Sequence, residues 1–384
     1  MLRFLTAGES HGPGLVAIVE GLPKGIQFDS VALSEELARR RHGHGRGQRM
    51  QVERDEIEIL GGVRHGKTLG SPVAIVVRNS EWPKWEQVMS PEGDSMGHEV
   101  TRPRPGHADL AGMVKYQTDD ARDVLERASA RETAARTVVG HLSKTLIGEC
   151  GIAVVSHVTR IGEVVAKSIV AGPDDNAVAD ADPVRCLDPQ ASAEMVALID
   201  EARLGKDTLG GVFETVAHGV PIGVGSHVHY DRRLDMRLGG AMMSIPAIKS
   251  VEIGDGFDLA SRRGSVSHDE IVKTEDGVGR RTNRAGGIEG GMSNGEPIRV
   301  SAAMKPLSTL MQPLDTVDIS TGQPERAVRE RSDVCAVPAA SVVGEQMMAF
   351  VLADELMRKF GGDTLEEVTE RVRRHREYVA GRLG

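Results

Sequence analysis

The chain has few of the residues that stabilise secreted domains or bind nucleic acids. Its three cysteines, among 384 residues, form no C-x-x-C pair and no disulfide framework. Two Trp, three Tyr and six Phe are too few for a base-stacking surface, and a net charge of −9 argues against a broad nucleic-acid-binding face. No apolar run approaches the roughly 20 residues of a membrane span, and the first residues leave no room for a signal peptide. We therefore expect a soluble, cytoplasmic protein that binds neither nucleic acid nor membrane.

Arginine and glycine are over-represented. Only 11 of the 47 basic residues are lysine, and 45 residues are glycine. The planar guanidinium suits bidentate recognition of phosphate and carboxylate, although a GC-rich genome would give the same bias. Glycines gather beside polar residues at 8–14, 43–47 and 286–295, where they serve tight turns or let the backbone approach a ligand.

The order of strand-like and helical stretches predicts a mixed α+β fold. β-Branched or alternating residues predict strands at 15–20, 56–60, 73–77, 152–158, 212–216, 251–253 and 298–304. Capping residues and apolar spacing predict helices at 31–41, from Ser129 to 148, from Ser192 to 205, from Pro338 to 361 and from Thr364 onward. We interpret residues 171–191 as a surface insertion. No G-x-G-x-x-G follows a strand, which argues against a dinucleotide-binding unit.

The segment Gly8-Glu-Ser-His-Gly12 matches the G-x-S-x-G pattern of serine hydrolases. That pattern positions a nucleophile only where a helix follows the serine. Here Pro13 and Gly14 lead into a predicted strand, so the hydrolase interpretation is disfavoured. A histidine in a glycine-rich turn is still a candidate for proton transfer.

Four arginine-rich segments are candidate anion-binding sites. Residues 39–49 hold five Arg and two His among glycines, which favours a clamp over a solvated basic face. Residues 102–109 hold Arg and His in a proline-stiffened loop. If Ser129 caps a helix, backbone N–H groups and a nearby arginine converge on one point. Residues 326–333 would place a carboxylate beside a basic pocket.

No spacing typical of a zinc or calcium site is present. The residues alone therefore predict an enzyme for a small, multiply anionic, phosphorylated substrate, with histidines as proton donors and no metal. They leave open a serine hydrolase and a non-catalytic nucleic-acid or polyanion binder.

Seven motifs, in order along residues 1–360, resemble those of the chorismate synthase family. They are Gly8-Glu-Ser-His-Gly-Pro-Gly14, Gly43-His-Gly-Arg-Gly47, Arg102-Pro-Arg-Pro-Gly-His-Ala-Asp109, Arg127-Ala-Ser-Ala-Arg-Glu-Thr133, Gly290-Gly-Met-Ser-Asn-Gly295, Lys305-Pro-Leu-Ser-Thr309 and Arg331-Ser-Asp-Val-Cys-Ala-Val-Pro338.

The resemblance implies conversion of 5-enolpyruvylshikimate 3-phosphate to chorismate by 1,4-anti elimination of phosphate, with reduced FMN (FMNH2) but no net redox change. It also implies an α+β sandwich, with helices between two antiparallel sheets, assembled as a homotetramer. The expected single domain covers residues 1–384, with a core at 1–360 and a C-terminal amphipathic helix at 364–380. NADPH is expected to reduce the flavin indirectly, either on this chain or, as we favour, through a separate flavin reductase.

The resemblance assigns catalytic roles to His11, His107 and Asp333. His11 would protonate the departing phosphate, His107 would favour the monoanionic reduced flavin, and Asp333 would assist proton removal through flavin N5. The implied substrate-binding residues are Ser10, Arg40, Arg46, Arg49, Arg104, Ser129 and Arg131. The implied FMN-binding residues are Arg127, Ala128, Ser129, Pro246, Ala247, Gly290, Lys305, Pro306, Leu307, Ser308, Thr309 and Arg331. His44 differs from the aromatic residue that the family often has there.

Overall fold

Two antiparallel sheets form the outer layers of the computed structural model, which describes residues 1–47, 55–93, 97–275, 277–330 and 332–384. The first sheet has the order β1-β2-β4-β3 and contains β1 (Arg3–Ala7), β2 (Gly14–Glu20), β3 (Ile57–Gly61) and β4 (Val73–Arg78). The second has the order β8-β9-β7-β5-β6 and contains β5 (Ala153–Ile161), β6 (Val164–Val165), β7 (Gly211–His218), β8 (Ile248–Ile253) and β9 (Ile298–Met304). The seven predicted strands all lie within these sheets, and the sequence patterns missed β1 and β6.

Short hairpins decorate the loops between these strands. They pair Val63–Arg64 with Lys67–Thr68, Ile271–Thr274 with Gly277–Arg280, Ile288–Glu289 with Met292–Ser293, and Asp315–Val317 with Pro324–Arg326.

The helices connect the sheets and fill the space between them. In chain order they are α1 (Ser30–Arg39), α2 (Asp109–Tyr116), α3 (Arg122–Ala128), α4 (Thr133–Glu149), α5 (Asn176–Ala181), α6 (Pro189–Leu204), α7 (Leu234–Met243), α8 (Gly256–Ser261), α9 (Gly264–Ser267), α10 (Val337–Lys359) and α11 (Leu365–Leu383). Three 3₁₀ turns lie at Trp82–Lys84, Ala130–Glu132 and Tyr230–Arg232. No helix of the described residues is long and apolar enough to cross a bilayer.

Helices α4 and α10 form the central layer. α4 packs on β2 and β4 of the first sheet, α10 packs on β5 and β7 of the second, and the two helices pack against each other. Glycine allows the close approach, since a Cβ built at Gly140 would lie 2.2 Å from the Cβ of Gln346. The prediction of helices sandwiched between two antiparallel sheets is confirmed.

One continuous hydrophobic core joins the two sheets and the central helices. Its buried residues run from Leu2, just before β1, to Val372 in α11, and include Val138, Leu142 and Leu352 on the central helices. The alternating strands and the long helices both direct their apolar residues into this space.

Helix ends follow the predicted signals with two corrections. The helix predicted from Ser129 begins at Thr133, because Ser129 caps the 3₁₀ turn Ala130–Glu132 that precedes α4. Thr364 and Glu367 form a complete capping box for α11, and Pro338 lies in the first turn of α10. The start predicted for α6 at Ser192 is wrong. Asp188 caps that helix by accepting a hydrogen bond from the backbone N–H of Gln190, and an aspartate followed by proline at the first helical position is the stronger signal.

A buried ion cluster lies where α1, α4, α5 and α10 meet. Its cations are Arg39, Lys144 and Arg185, and its carboxylates are Glu36, Asp180 and Glu345. Glu345 is fully buried and bonds all three cations. Burial alone would raise the pKa of Glu345, but the three positive charges hold it well below its ordinary value.

This cluster changes the interpretation of residues 171–191. Arg185 and Cys186 are buried, and Ala171 joins Val155 and Val216 in a small apolar cluster. The segment is therefore only partly a surface insertion. Among its charged residues, Arg185 is buried because it pairs with Asp180 and Glu345 of the cluster.

Candidate active site

The glycine-rich turn at Ser10–Gly12 is fixed by three neighbouring segments. The Ser10 backbone N–H donates to the carbonyl of Glu126, 3.1 Å away, at the end of α3. The Ser129 hydroxyl donates to the Ser10 hydroxyl over 3.1 Å. The Asn79 side-chain amide donates to the carbonyl of Gly12 over 2.9 Å. Strand β2 begins at Gly14, so no helix follows Ser10 and the hydrolase context is absent.

His11 is held by Glu126. The backbone N–H of His11 donates to Glu126 Oε2 over 2.8 Å, and its Nδ1 lies 2.9 Å from Oε1. Arg122 Nη1 donates to the same Oε1 over 2.9 Å. Burial alone would raise the pKa of Glu126, but the hydrogen bonds and charge of His11, with the charge of Arg122, lower it. The carboxylate therefore stays ionised beside the imidazole and fixes the orientation of its ring.

Arg40 and Arg131 share one buried carboxylate. Arg131 Nη1 donates to Asp55 Oδ1 over 2.7 Å, and Arg40 Nη2 lies 3.6 Å from Asp55 Oδ2. Arg41 Nε lies 3.4 Å from the same Oδ2. Three guanidiniums around a single carboxylate leave this region with an excess of positive charge. The resemblance predicted substrate binding for two of these arginines, and the structure brings those two together.

Arg46 pairs with Asp333. Arg46 Nη1 donates to Asp333 Oδ2 over 2.6 Å, and the Gly47 N–H donates to Oδ1 over 2.6 Å. Burial lowers the pKa of the Arg46 guanidinium, and the nearby positive charge of Arg40 lowers it further, against the opposing effect of Asp333. The buried Nε of Arg46 has no hydrogen-bond partner among the described residues. This donor is available to an anion that also reaches Arg40.

Arg104 and His107 meet at Asp109, which is fully buried. Arg104 Nε donates to Asp109 Oδ2 over 2.9 Å, and Nδ1 of His107 forms a short hydrogen bond with Oδ1. Burial alone would raise the pKa of Asp109, but the hydrogen bonds from His107 and Arg104 hold it well below its ordinary value. Arg104 Nη1 also donates to the Thr309 hydroxyl over 3.0 Å. Two predicted segments, 102–109 and 305–309, therefore adjoin.

Lys305 lies beside the group formed by Arg104, His107 and Asp109. Its Nζ donates to the Gly106 carbonyl over 2.6 Å, and its backbone N–H donates to the Ala247 carbonyl over 3.0 Å. Partial burial and the positive charge of Lys249 lower the pKa of Lys305. Ala247 has a φ of +67°, a left-handed conformation that is rare for a residue with a Cβ. The structure thus brings residues 247 and 305 to the His107 loop.

The contacts of the other predicted residues do not by themselves indicate a ligand. The Arg127 guanidinium donates to the carbonyls of Thr6 and Gly8, beside the His11 turn. Gly290 lies in the 288–293 hairpin, where a Cβ would meet open space. His44 Nε2 lies 2.8 Å from Asp200 on α6. Arg49 and Arg331 lie outside the described residues. For Ala128, Pro246, Pro306, Leu307 and Ser308 the site assignment stays a prediction.

Apart from Asp333, sequence reasoning missed the carboxylates of the site, and it missed the aromatic residue. Asp55, Glu126 and Asp109 each anchor a predicted arginine or histidine, and Trp85 lies against His11 with ring centroids 3.9 Å apart. Asp109 ends a motif, and Glu126 immediately precedes one, so their positions carried some signal. Asp55 and Trp85 lie in stretches with no recognisable pattern. Among the described residues, no group of three or more His, Cys, Asp or Glu could hold a metal ion.

Comparison with known proteins agrees over nearly the whole chain. A family model described as chorismate synthase matches residues 2–357. A chorismate synthase of Thermobifida fusca (strain YX) is 58% identical over 384 residues, which cover 97% of this chain and 98% of the relative. One of Parafrankia sp. (strain EAN1pec) is 60% identical over 380 residues, 96% of each chain. A solved structure described as "Crystal Structure of Chorismate Synthase" superposes with a TM-score of 0.79 at 42% identity, covering 99% of this chain and 98% of that one.

Proposed function

The chain belongs to the chorismate synthase family of phosphate lyases, and from that premise we propose that it converts 5-enolpyruvylshikimate 3-phosphate to chorismate by 1,4-anti elimination, with reduced FMN and no net redox change. One observation of the site carries the proposal. Buried arginines, a carboxylate-oriented histidine and a second carboxylate converge from segments that are far apart in sequence. A phosphate elimination needs these three kinds of group.

The arginines bind the substrate's anionic groups in this proposal. Arg40 and Arg46 lie close enough for their charges to repel, and Arg131 adjoins Arg40 through Asp55. A phosphate or carboxylate placed among them would relieve that repulsion and bond the Nε of Arg46, which has no partner in the described part of the chain. Guanidinium forks also fix the orientation of the bound anion, which positions the breaking C–O bond.

Two groups are proposed to transfer protons, one at the departing phosphate and one at the ring carbon that loses a proton. Elimination removes a proton from one ring carbon and phosphate from another, while the double bond between them shifts. Because Nδ1 of His11 bonds Glu126, a proton for the departing phosphate oxygen would come from Nε2. Asp333, held by Arg46 and Gly47, is the carboxylate proposed to assist removal of the ring proton. His107 is proposed to lie beside the flavin.

The residues around His107 and Lys305 fit FMN. Lys305 has no carboxylate partner among the described residues, and Lys249 adds a second positive charge nearby. An uncompensated cation pair suits an anionic group such as the flavin phosphate. The residues proposed to hold FMN are those of 127–129, 246–247, 290, 305–309 and 331. When bound, reduced FMN would supply transient electron donation that assists the departure of phosphate.

Assembly, location and flavin supply are parts of the same proposal. We propose a cytoplasmic homotetramer whose flavin is reduced with NADPH as the ultimate reductant, through a separate flavin reductase. The hydrolase alternative is disfavoured by strand β2, which takes the place of the helix that a nucleophile elbow requires. A polyanion binder would not need a histidine oriented by a buried carboxylate, as His11 is by Glu126.

An anaerobic assay tests the proposal. Purified protein, 5-enolpyruvylshikimate 3-phosphate and chemically reduced FMN should form chorismate, followed by its absorbance. Oxidised FMN should give none. With oxidised FMN and NADPH as the only reductant, turnover should appear only after a flavin reductase is added. Absence of chorismate with reduced FMN would overturn the proposed function, whereas turnover with NADPH alone would overturn only the separate reductase.

A further inference from the structure

The strongest unassigned feature of the site is the aromatic contact on His11. The imidazole of His11 and the indole of Trp85 lie with ring centroids 3.9 Å apart and planes inclined by 31°. The Arg122 guanidinium carbon lies 5.3 Å from the centroid of the same indole. Arg122 also bonds Glu126, which bonds His11. The four side chains therefore form a closed ring of contacts that includes the proposed proton donor, His11.

The segment that carries Trp85 is tied to the His11 turn. The Asn79 backbone N–H donates to the Pro13 carbonyl over 3.1 Å, and its side-chain amide donates to the Gly12 carbonyl. The 3₁₀ turn Trp82–Lys84 follows, and the Trp85 N–H donates to the Trp82 carbonyl over 2.8 Å. These bonds fix the Trp85 backbone relative to the turn that it covers. The aromatic contact is thus built into the loop.

We propose that Trp85 is a positioning residue, which holds the His11 imidazole by stacking while Glu126 holds it by hydrogen bonding. This inference rests on the proposed function, because it concerns the histidine that would protonate the leaving phosphate. Glu126 accepts a hydrogen bond from the backbone N–H of His11 and bonds Nδ1 at one edge of the ring. The indole lies against the face of that ring. Contacts at an edge and at a face together fix the plane of the imidazole.

The stack also suits the charged form of His11. An indole face attracts a cation through its quadrupole, and Glu126 attracts it through its ionised carboxylate. Arg122 opposes them, but its charge is shared with Glu126. Misplacement of a catalytic group by about 1 Å can cost on the order of a hundredfold in rate. Loss of the stack should therefore lower kcat and leave substrate binding by the arginines largely intact.

Fluorescence tests the contact without any assay of activity. The chain has two tryptophans, so Trp85 is the only indole in the Trp82→Phe variant. A protonated imidazole in contact with an indole quenches its emission. Adding His11→Ala should therefore raise the emission of Trp85. An emission that His11→Ala leaves unchanged would overturn the proposed contact.

Kinetics test the positioning role. Trp85→Ala should lower kcat by roughly ten- to a hundredfold, with KM for the substrate nearly unchanged, and Trp85→Phe should restore most of the loss. Trp85→Leu, which keeps apolar bulk without an aromatic face, should behave like alanine. Trp82→Ala is the matched control, because the Trp82 ring makes no aromatic or cation–π contact among the described residues, and it should keep kcat.

A double-substitution cycle separates positioning from general stability. In the His11→Ala background, Trp85→Ala should cost less than about threefold further, since effects of residues that act as a unit are non-additive. A full additional loss would overturn the inference, as would a Trp85→Leu variant with unchanged kcat. If the unsubstituted protein makes chorismate while these variants match it, only this inference fails. If the unsubstituted protein makes none, the proposed function fails and the inference falls with it.

Discussion

Arg46 and Asp333 form a partly buried ion pair, with Nη1 and Oδ2 2.6 Å apart. One member belongs to the glycine-rich loop after α1, and the other precedes α10. The pair therefore joins the proposed substrate clamp to the carboxylate proposed to assist proton removal. A substitution that removes the guanidinium group of Arg46 should therefore alter both the substrate clamp and the position of the Asp333 carboxylate.

Arg46→Lys should weaken substrate binding although the net charge is unchanged. Lysine loses the planar fork and the Nε donor that is unpartnered among the described residues. Loss of one charge-assisted hydrogen bond is worth ~1.5–3 kcal/mol, or on the order of ten- to a hundredfold in affinity. Titration of the substrate by calorimetry measures this. Arg374→Lys on the exposed face of α11 is the control, and equal binding by both variants would mean that the loop is only a solvated basic surface.

His11→Ala should lower turnover by ~10²–10⁴-fold, the usual contribution of a positioned proton donor. Binding of substrate and FMN should largely survive, because the arginines and Lys305 remain. Ser10→Ala should be much milder, since the Ser10 hydroxyl accepts a hydrogen bond from Ser129 and is not followed by a helix. Side-by-side turnover of the two variants decides. An inactive Ser10→Ala variant together with a covalent acyl intermediate would restore the hydrolase interpretation.

FMN should bind more tightly when the phosphorylated substrate is present. The segment 127–131 contributes to both predicted binding sets, and Arg104 bonds Thr309 at the border between them. An ordered substrate would therefore stabilise groups that the flavin also uses. Fluorescence titration of FMN with and without substrate measures the difference, with inorganic phosphate as the control anion. Equal affinity in all three conditions would argue against adjoining sites.

Gly140→Ala should destabilise the protein by ~1–3 kcal/mol, the usual cost of overpacking. A Cβ at this position would lie 2.2 Å from the Gln346 Cβ, between the two central helices. Gly148→Ala near the end of the same helix meets no atom of the described residues within 4 Å, so alanine should stabilise by about 0.5–1 kcal/mol. Urea unfolding of both variants checks the opposite signs. Similar free energies of unfolding would show that the helices can move apart freely.

Glu345→Gln should change how stability depends on pH. The pKa of Glu345 is held below its ordinary value in the folded state, so its contribution is complete above the unfolded value of about 4.3. That contribution is lost as the pH falls below this value. Glutamine does not titrate, so the variant should be less stable at pH 7 by ~3–5 kcal/mol. Its stability should also decline less steeply between about pH 5 and 3. Parallel profiles for the two proteins would remove Glu345 as a source of acid sensitivity.

The fold could be predicted from the sequence where local signals agree. β9 has the bounds that its alternation indicates, and α11 begins at the predicted capping box. Strand β1 was missed because Arg3-Phe-Leu-Thr-Ala7 is short and its apolar residues do not alternate cleanly. Its strand conformation comes from pairing with β2. Pairing with a neighbouring strand therefore determines the conformation of a segment that is too short for its own sequence pattern to do so.

The site could be predicted on its cationic side and, among its carboxylates, at Asp333. Arginines and histidines stand among glycines and prolines, which makes their segments visible in the sequence. The other carboxylate partners are not visible in the same way. Asp55 lies 76 residues from Arg131, and Glu126 lies 115 residues from His11. Only the folded chain brings such groups together, so charge pairing was the part that sequence reasoning could not reach.

The six-charge cluster around Glu345 constrains how this chain can evolve. Arg39 enters the cluster while Arg40, the C-cap of α1, faces Asp55, so the end of α1 contributes to both the helical layer and the site. Removing a single buried charge leaves its partners unpaired, whereas a matched exchange does not. Substitutions at these positions should therefore occur in pairs in which the second change restores the charge balance. Lineages that replace one member are expected to carry a second replacement at one of its partners in the cluster.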